Sequence, residues 1–386
     1  MRGWIFTQKE QQDAPRFVPG EIAYEGDTIT SVTVLDESDL TAEEKETYLL
    51  PGLVDIHLHG CMGVDFCDSI DYKDDEMLRT MCEYEASQGV TSICPTTMTY
   101  DEERLIKIMK KAKDFTGSLH PLKDCVAGVH LEGPFISRAK CGAQNPKFIQ
   151  DPDLAMLDRL QEASGGLVRL VAIAPETDGA IDCIREGSNR PKGQDFCFSI
   201  AHTTADYDTA KEAIAAGAKH VTHMYNAMPA FLNRAPGVIG AAFDDKDTYV
   251  ELIGDGIHIH PSVVRATFEM FGPERIVLIS DSMEATGKPD GKYALGGQDV
   301  YKQGNLATLR DGTIAGSVTN LFACMKSVIA MGIAPEDAIR CATLNPASSI
   351  GISDTVGVLL PGKRANILVC DRDLNLNRVI ASGKEV

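Results

Sequence analysis

The stretch PGLVDIHLHG, Pro51–Gly60, is a short apolar run that opens on a Pro-Gly turn and closes on two histidines. Seven runs of similar build follow it: Val90–Thr96 (VTSICPT), Val126–Glu132 (VAGVHLE), Val168–Ala174 (VRLVAIA), Phe196–His202 (FCFSIAH), His220–His223 (HVTH), Tyr249–Gly254 (YVELIG) and Arg275–Asp281 (RIVLISD). Stretches with helical features separate most of them, among them Asp74–Gln88, Asp101–Lys113, Asp151–Gln161, Asp206–Ala216 and Pro261–Phe271. Several begin with Asp or Pro, which suit the first turn of a helix. Continuous apolar runs alternating with helices indicate a parallel sheet buried on both faces. Eight such repeats predict an α/β fold of the TIM-like (β/α)8 barrel type, with a doubly wound sheet as the structural runner-up.

The flanks have a different grain. Residues 1–50 are polar and broken, with strand-like pieces at Glu21–Tyr24 and Ile29–Val34. Gly357–Leu360, Ala365–Cys370 and Arg378–Ala381 read as short strands joined by turns. Neither end can bury a core alone. Residues 1–50 and 352–386 are therefore expected to combine into a small β-sandwich domain, clipped to a barrel of residues 51–351. The segment Thr286–Ser317 holds 7 Gly. It is expected to form a hairpin-containing excursion over the barrel mouth.

A chain of 386 residues with 44% hydrophobic content has ample material for a core, which excludes global disorder. Lys and Arg number 37 against 56 Asp and Glu, and 37 − 56 = −19. Such a surface repels nucleic acid and anionic membranes, so neither is an expected partner. A phosphorylated substrate would need a local positive site. No apolar run approaches the roughly 18 residues that span a bilayer, and MRGWIFTQKE at the start has no signal-peptide core. The 11 cysteines are scattered without a CxxC pair. That pattern fits reduced thiols and a cytoplasmic location.

The chemistry lies at the ends of the apolar runs. His57 and His59 close the first, Glu132 the third, His202 the fifth, His223 the sixth and Asp281 the eighth. In a parallel barrel all these ends gather on one face, where active sites are built. His57 and His59 are two apart and point the same way from a strand, while Leu58 faces the helix layer. Four His, one Glu and one Asp form a nitrogen and oxygen ligand set suited to Zn, Fe, Mn or Co. A lone histidine at a strand end is more often a hydrogen-bonded residue than a ligand; six suitable residues at five strand ends are hard to ascribe to packing. His130 reads as a neighbour of the site or a packing residue, and His120, His220 and His260 as structural or surface. Cys61 and Cys141 read as small packing residues.

Five stretches in order, PGLVDIHLHG, HLEGP (130–134), HMYNAMP (223–229), ISDSMEATG (279–287) and CATLNPA (341–347), resemble the N-acetylglucosamine-6-phosphate deacetylases of the metal-dependent amidohydrolase superfamily. The resemblance implies a (β/α)8 barrel with a small β-domain from both termini. It implies that Glu132, His202 and His223 are the principal ligands of a divalent metal, that His57 and His59 hold a second ion in binuclear members, and that Asp281 is the catalytic aspartate. Arg234 and His258, with backbone N–H groups of Asn226 and Ala227, are implied to hold the sugar phosphate. From the sequence alone Arg234 reads as a surface residue of an Asn-Arg-Ala-Pro-Gly loop. Many relatives carry a histidine where this chain has Gln144, which can hydrogen-bond a substrate oxygen but cannot carry charge. The family also implies a homodimer whose partner chain reaches toward the phosphate end. The alternatives are an N-acetylgalactosamine-6-phosphate deacetylase, another amidohydrolase acting on a cyclic imide or dipeptide, and a non-catalytic scaffold barrel.

Overall fold

A computed structural model of the protein describes residues 1–8 and 13–386. Eight parallel strands form its centre: β1 (Leu53–Leu58), β2 (Val90–Thr97), β3 (Val129–Leu131), β4 (Val168–Ile173), β5 (Cys197–Ile200), β6 (His220–Val221), β7 (Tyr249–Ile253) and β8 (Ile276–Ile279). They stand in sequence order, and each pairs in parallel with the next. The ends of β8 and β1 also meet, where the Asp281 N–H donates to His57 O at 2.9 Å and the His59 N–H to Ser282 O at 2.7 Å. The sheet is thus a nearly closed barrel rather than a doubly wound sheet.

Each strand is followed by a helix: α1 (Glu76–Ser87), α2 (Glu102–Thr116), α3 (Leu154–Ser164), α4 (Ala180–Ser188), α5 (Tyr207–Ala216), α6 (Gly237–Asp244), α7 (Pro261–Phe271) and α8 (Leu321–Ala330). Aspartates start several of them by accepting free first-turn N–H groups. Asp101 takes the N–H of Arg104, Asp153 those of Ala155 and Met156, and Asp206 that of Thr209. The apolar stripes of these helices pack on the outer faces of the strands. Met77, Leu78 and Met81 of α1 share one cluster with Leu58 of β1.

The two termini build a second sheet of seven strands, which joins Arg2–Thr7, Arg16–Glu25, Thr28–Val34 and Tyr48–Pro51 to Ile367–Cys370, Leu376–Ala381 and Lys384–Glu385. Its ends fold toward each other. The Ala365 N–H donates to Asp27 O at 2.7 Å and the Ile29 N–H to Lys363 O at 2.8 Å. Ile5, Ile22, Ile29, Leu49, Ile367 and Ile380 fill the space enclosed. After β8 the chain makes a three-stranded antiparallel excursion, Gly291–Leu295, Gln298–Gln303 and Leu306–Thr308. Its Leu295 and the following Thr313, Ile314 and Gly316 roof the barrel mouth.

Candidate metal centre and substrate cavity

Glu132 follows β3 directly, while His202, His223 and Asp281 each lie two residues beyond β5, β6 and β8. At that distance the chain is leaving the sheet, and His202, His223 and Asp281 have positive φ of 43, 28 and 50°. Such left-handed backbone is costly for residues with a Cβ and persists only where surrounding structure enforces it. Here it turns the side chains inward over the barrel axis.

Glu132 is the hub. Its Oε1 lies 3.0 Å from His223 Nε2, 3.1 Å from His202 Nε2 and 3.4 Å from His57 Nε2. Its Oε2 lies 3.3 Å from His59 Nε2. Asp281 Oδ1 stands 3.3 Å from His59 Nε2 and 3.5 Å from His57 Nε2. All six residues are buried. The ligand atoms fall into two trios, Glu132 with His202 and His223, and His57 with His59 and Asp281, each within 4.8 Å.

The donor chemistry fits a cation. His202 Nδ1 lies 2.8 Å from Lys140 O, and His59 Nδ1 lies 3.2 Å from Thr96 O. A carbonyl can only accept, so each of these rings carries a proton on Nδ1 and turns Nε2 inward, where it can take a cation, a proton or a metal ion. The Nε2 atoms of His202 and His223 approach to 3.1 Å on one carboxylate oxygen. Lone pairs and negative charge do not converge in this way without a proton or a metal ion between them. Burial opposes a charge on His57, yet Glu132 and Asp281 outweigh it and hold its pKa well above the usual imidazole value. His59, likewise opposed by burial, is pushed up to about 9 by Asp281 and Glu132. Burial would raise Glu132, but the imidazoles of His57, His202 and His223 hold it well below the carboxylate range. The same contest, with His57 and His59 as the winning charges, lowers Asp281.

Beside this cluster opens a cavity of about 410 Å³. His59, Glu132, His202, His223 and Asp281 line one side, and Lys140, Asn226, Ala227 and His258 also border it. His258 Nδ1 lies 2.7 Å from Asp255 Oδ2; burial resists its charge, but Asp255 raises its pKa. The turn after His223 is wound by left-handed φ at Tyr225 and Ala227, 78 and 51°. Its curl spends the Asn226 N–H on His223 O at 3.0 Å, so that donor is not free for a phosphate as expected. The Ala227 N–H has no partner among the described residues.

Gln144 and Arg234 were both expected to contact the substrate. Gln144 lines the cavity, but both ends of its amide are committed: Nε2 donates to Glu132 Oε2 at 2.7 Å, and Oε1 accepts the Thr99 N–H at 2.7 Å. It steadies Glu132 from the cavity wall. Arg234 is exposed and absent from the residues bordering this chain's cavity. Leu232 and Ala235 exchange N–H and C=O at 3.2 Å, a tight turn that carries Arg234 out into solvent. One residue of the centre was missed altogether. Glu251, fully buried in the middle of β7, approaches His57, His220 and His223. The signal for it was a lone carboxylate inside the apolar run YVELI.

The amidohydrolase family model matches residues 48–386. An N-acetylgalactosamine-6-phosphate deacetylase of Escherichia coli O157:H7 is 33% identical over 355 residues, 92% of either chain. The N-acetylglucosamine-6-phosphate deacetylase of Bacillus subtilis is 35% identical over 341 residues, 88% of this chain and 84% of that one. Among solved structures, a mutant N-acetyl-D-glucosamine-6-phosphate deacetylase of Mycobacterium smegmatis, in complex with N-acetyl-D-glucosamine-6-phosphate, superposes with a TM-score of 0.88 at 31% identity, covering 100% of this chain and 98% of that one. Barrel and terminal sheet agree with this likeness, and the chain belongs to the amidohydrolase family, among its amino-sugar-phosphate deacetylases.

Proposed function

We propose that the protein hydrolyses the acetamide of an N-acetylhexosamine 6-phosphate, N-acetylglucosamine 6-phosphate first, releasing acetate and the free amine. One observation carries this reading: a single cavity is bordered both by the Glu132-centred ligand cluster and by the Ala227 N–H and His258. An acetamide at the cluster would leave the phosphate of the same sugar to the donors. The relatives act on both the gluco and the galacto sugar phosphates, by their names, so the galacto substrate is the second reading.

An amide is a weak electrophile and an amine a poor leaving group. A divalent metal held by Glu132, His202 and His223, with a second position at His57, His59 and Asp281, supplies Lewis-acid polarisation and a more acidic water. Asp281 accepts the proton of the attacking water and delivers it to the departing nitrogen. Gln144 holds Glu132 in place through the 2.7 Å bond. His258, whose charged form Asp255 favours, and the Ala227 N–H bind the phosphate. Leu295 of the excursion and the following Ile314 border the cavity.

Arg234 completes the phosphate site from a second copy of the chain. Its loop also exposes Phe231 and Leu232, 50 and 57% accessible, which suits a homodimer surface. All 11 cysteines are free, in keeping with a reducing cytoplasm, and no helix among the described residues is long and apolar enough to cross a membrane.

Acetate release from the 6-phosphates of N-acetylglucosamine and N-acetylgalactosamine, beside the unphosphorylated sugars, tests the reading. Turnover confined to the phosphorylated sugars supports it, and their relative kcat/KM orders the gluco and galacto substrates. Equal turnover of phosphorylated and free sugars contradicts it.

A further inference from the structure

Glu251 touches one ligand from each trio. Its Oε2 lies 3.1 Å from His57 Nδ1 and 3.2 Å from the His223 backbone N–H, and its Oε1 faces His220 Nδ1 at 3.3 Å. The side chain is wholly buried, and so are His57 and His220. A carboxylate in the middle of an apolar strand is expensive to bury, and a leucine or valine there would cost the barrel less. Packing therefore does not account for it.

We propose that Glu251 is a positioning residue that makes the centre binuclear, and this rests on reading the two trios as metal positions. By accepting the His57 Nδ1 proton it fixes that tautomer and aims the bare Nε2 at Glu132 and Asp281. A carboxylate behind an imidazole also makes the facing nitrogen a stronger donor. His130 guards the other side: its ring packs edge-on against His57 with centroids 4.6 Å apart. That ring is wholly buried as well. His57 is thus held between a carboxylate acceptor and a packed ring, which fixes its orientation.

Charge points the same way. Glu132 and Asp281 bring two negative charges, the complement of one divalent ion. Glu251 adds a third, on the His57 side, where the second cation would sit. Through the His223 N–H it also braces the turn that presents the other trio, so one side chain ties the two positions together.

The test is metal binding to the stripped full-length protein, with Zn²⁺ or Mn²⁺ titrated against a chromophoric chelator and metal content per chain measured by elemental analysis. The wild-type chain is expected to take two ions. Glu251→Gln keeps the shape and removes the charge; it is expected to retain one ion and weaken the second by about ten- to a hundredfold. Glu251→Asp, which keeps the charge at a shorter reach, is expected to fall between them. The melting temperature of each stripped variant separates loss of affinity from loss of fold. Nitrogen NMR of the loaded wild-type protein provides a check that needs no variant: His57 should carry its proton on Nδ1. A His57 proton on Nε2, a wild-type chain that takes only one ion, or two ions of unchanged affinity in Glu251→Gln would each overturn the proposal. None of these measurements uses substrate. A chain that binds two ions yet releases no acetate would fail the deacetylase reading and leave this one standing.

Discussion

His202 and His223, 21 residues apart in the chain, bring their Nε2 atoms within 3.1 Å of each other on the same oxygen of Glu132. A proton or a metal ion between them makes that approach favourable. The carboxylate is the one member that supplies charge, so Glu132→Gln is expected to lower metal affinity at this trio by at least about tenfold, with turnover falling alongside it. Titration of the stripped variant against a chelator measures the first and acetate release the second.

Asp281 is buried yet borders the cavity, and its proton-transfer role depends on charge rather than bulk. Asp281→Asn is expected to lower kcat by about 10²–10⁴-fold, the usual contribution of a positioned acid–base group. The ion held by Glu132, His202 and His223 should remain, as elemental analysis of the same preparation would reveal. Turnover near the wild-type value would remove Asp281 from the reaction.

Gln144 spends its amide on Glu132 and the Thr99 N–H. Its loss should therefore disturb the centre more than the sugar. Gln144→Ala is expected to lower kcat by about tenfold or more while KM for the phosphorylated sugar changes little. A variant that raised KM at constant kcat would instead mark Gln144 as a direct sugar contact.

For Arg234 the expectation combines assembly and affinity. Light scattering should give a mass twice 41.7 kDa. Arg234→Ala should raise KM for the phosphorylated sugar far more than for the free sugar. A monomer with full activity would leave this exposed arginine without a role in the site.

Glu85, on α1, is wholly buried, and neither carboxylate oxygen has a hydrogen-bond partner among the described residues. Burial, then the nearby Asp55 carboxylate, drives its pKa well above the glutamate range. As pH rises through that range the unfolded chain gives up this proton while the folded chain keeps it, so folding loses stability. Glu85→Gln has no proton to lose. Its gain in melting temperature over the wild type is expected to be smallest near about pH 4 and to grow toward about pH 8. A gain independent of pH would mean that the buried group does not titrate with folding.

Much of this centre was legible because strand geometry is local. Residues two apart share a face, so His57 and His59 could be paired from sequence, and parallel strands end together, so Glu132, His202, His223 and Asp281 could be gathered. What was not legible depends on contacts between distant segments. Glu251 sits inside its strand rather than at its end, and only the closing of the barrel places His57 of β1 and His223 after β6 against it. The commitment of Gln144 to Glu132 requires the loop after β3 to fold back on its own strand. The outward turn of Arg234 and the spent N–H of Asn226 follow from left-handed and tight-turn backbone at non-glycine residues, which residue type does not announce.

The most direct test follows metal content and acetate release together, on one preparation, through chelation and reconstitution with N-acetylglucosamine 6-phosphate as substrate. Turnover should vanish as the ions leave and return in proportion as a divalent metal is restored, with free N-acetylglucosamine a poor substrate throughout. Undiminished acetate release from protein shown to hold no metal would contradict the account at its centre.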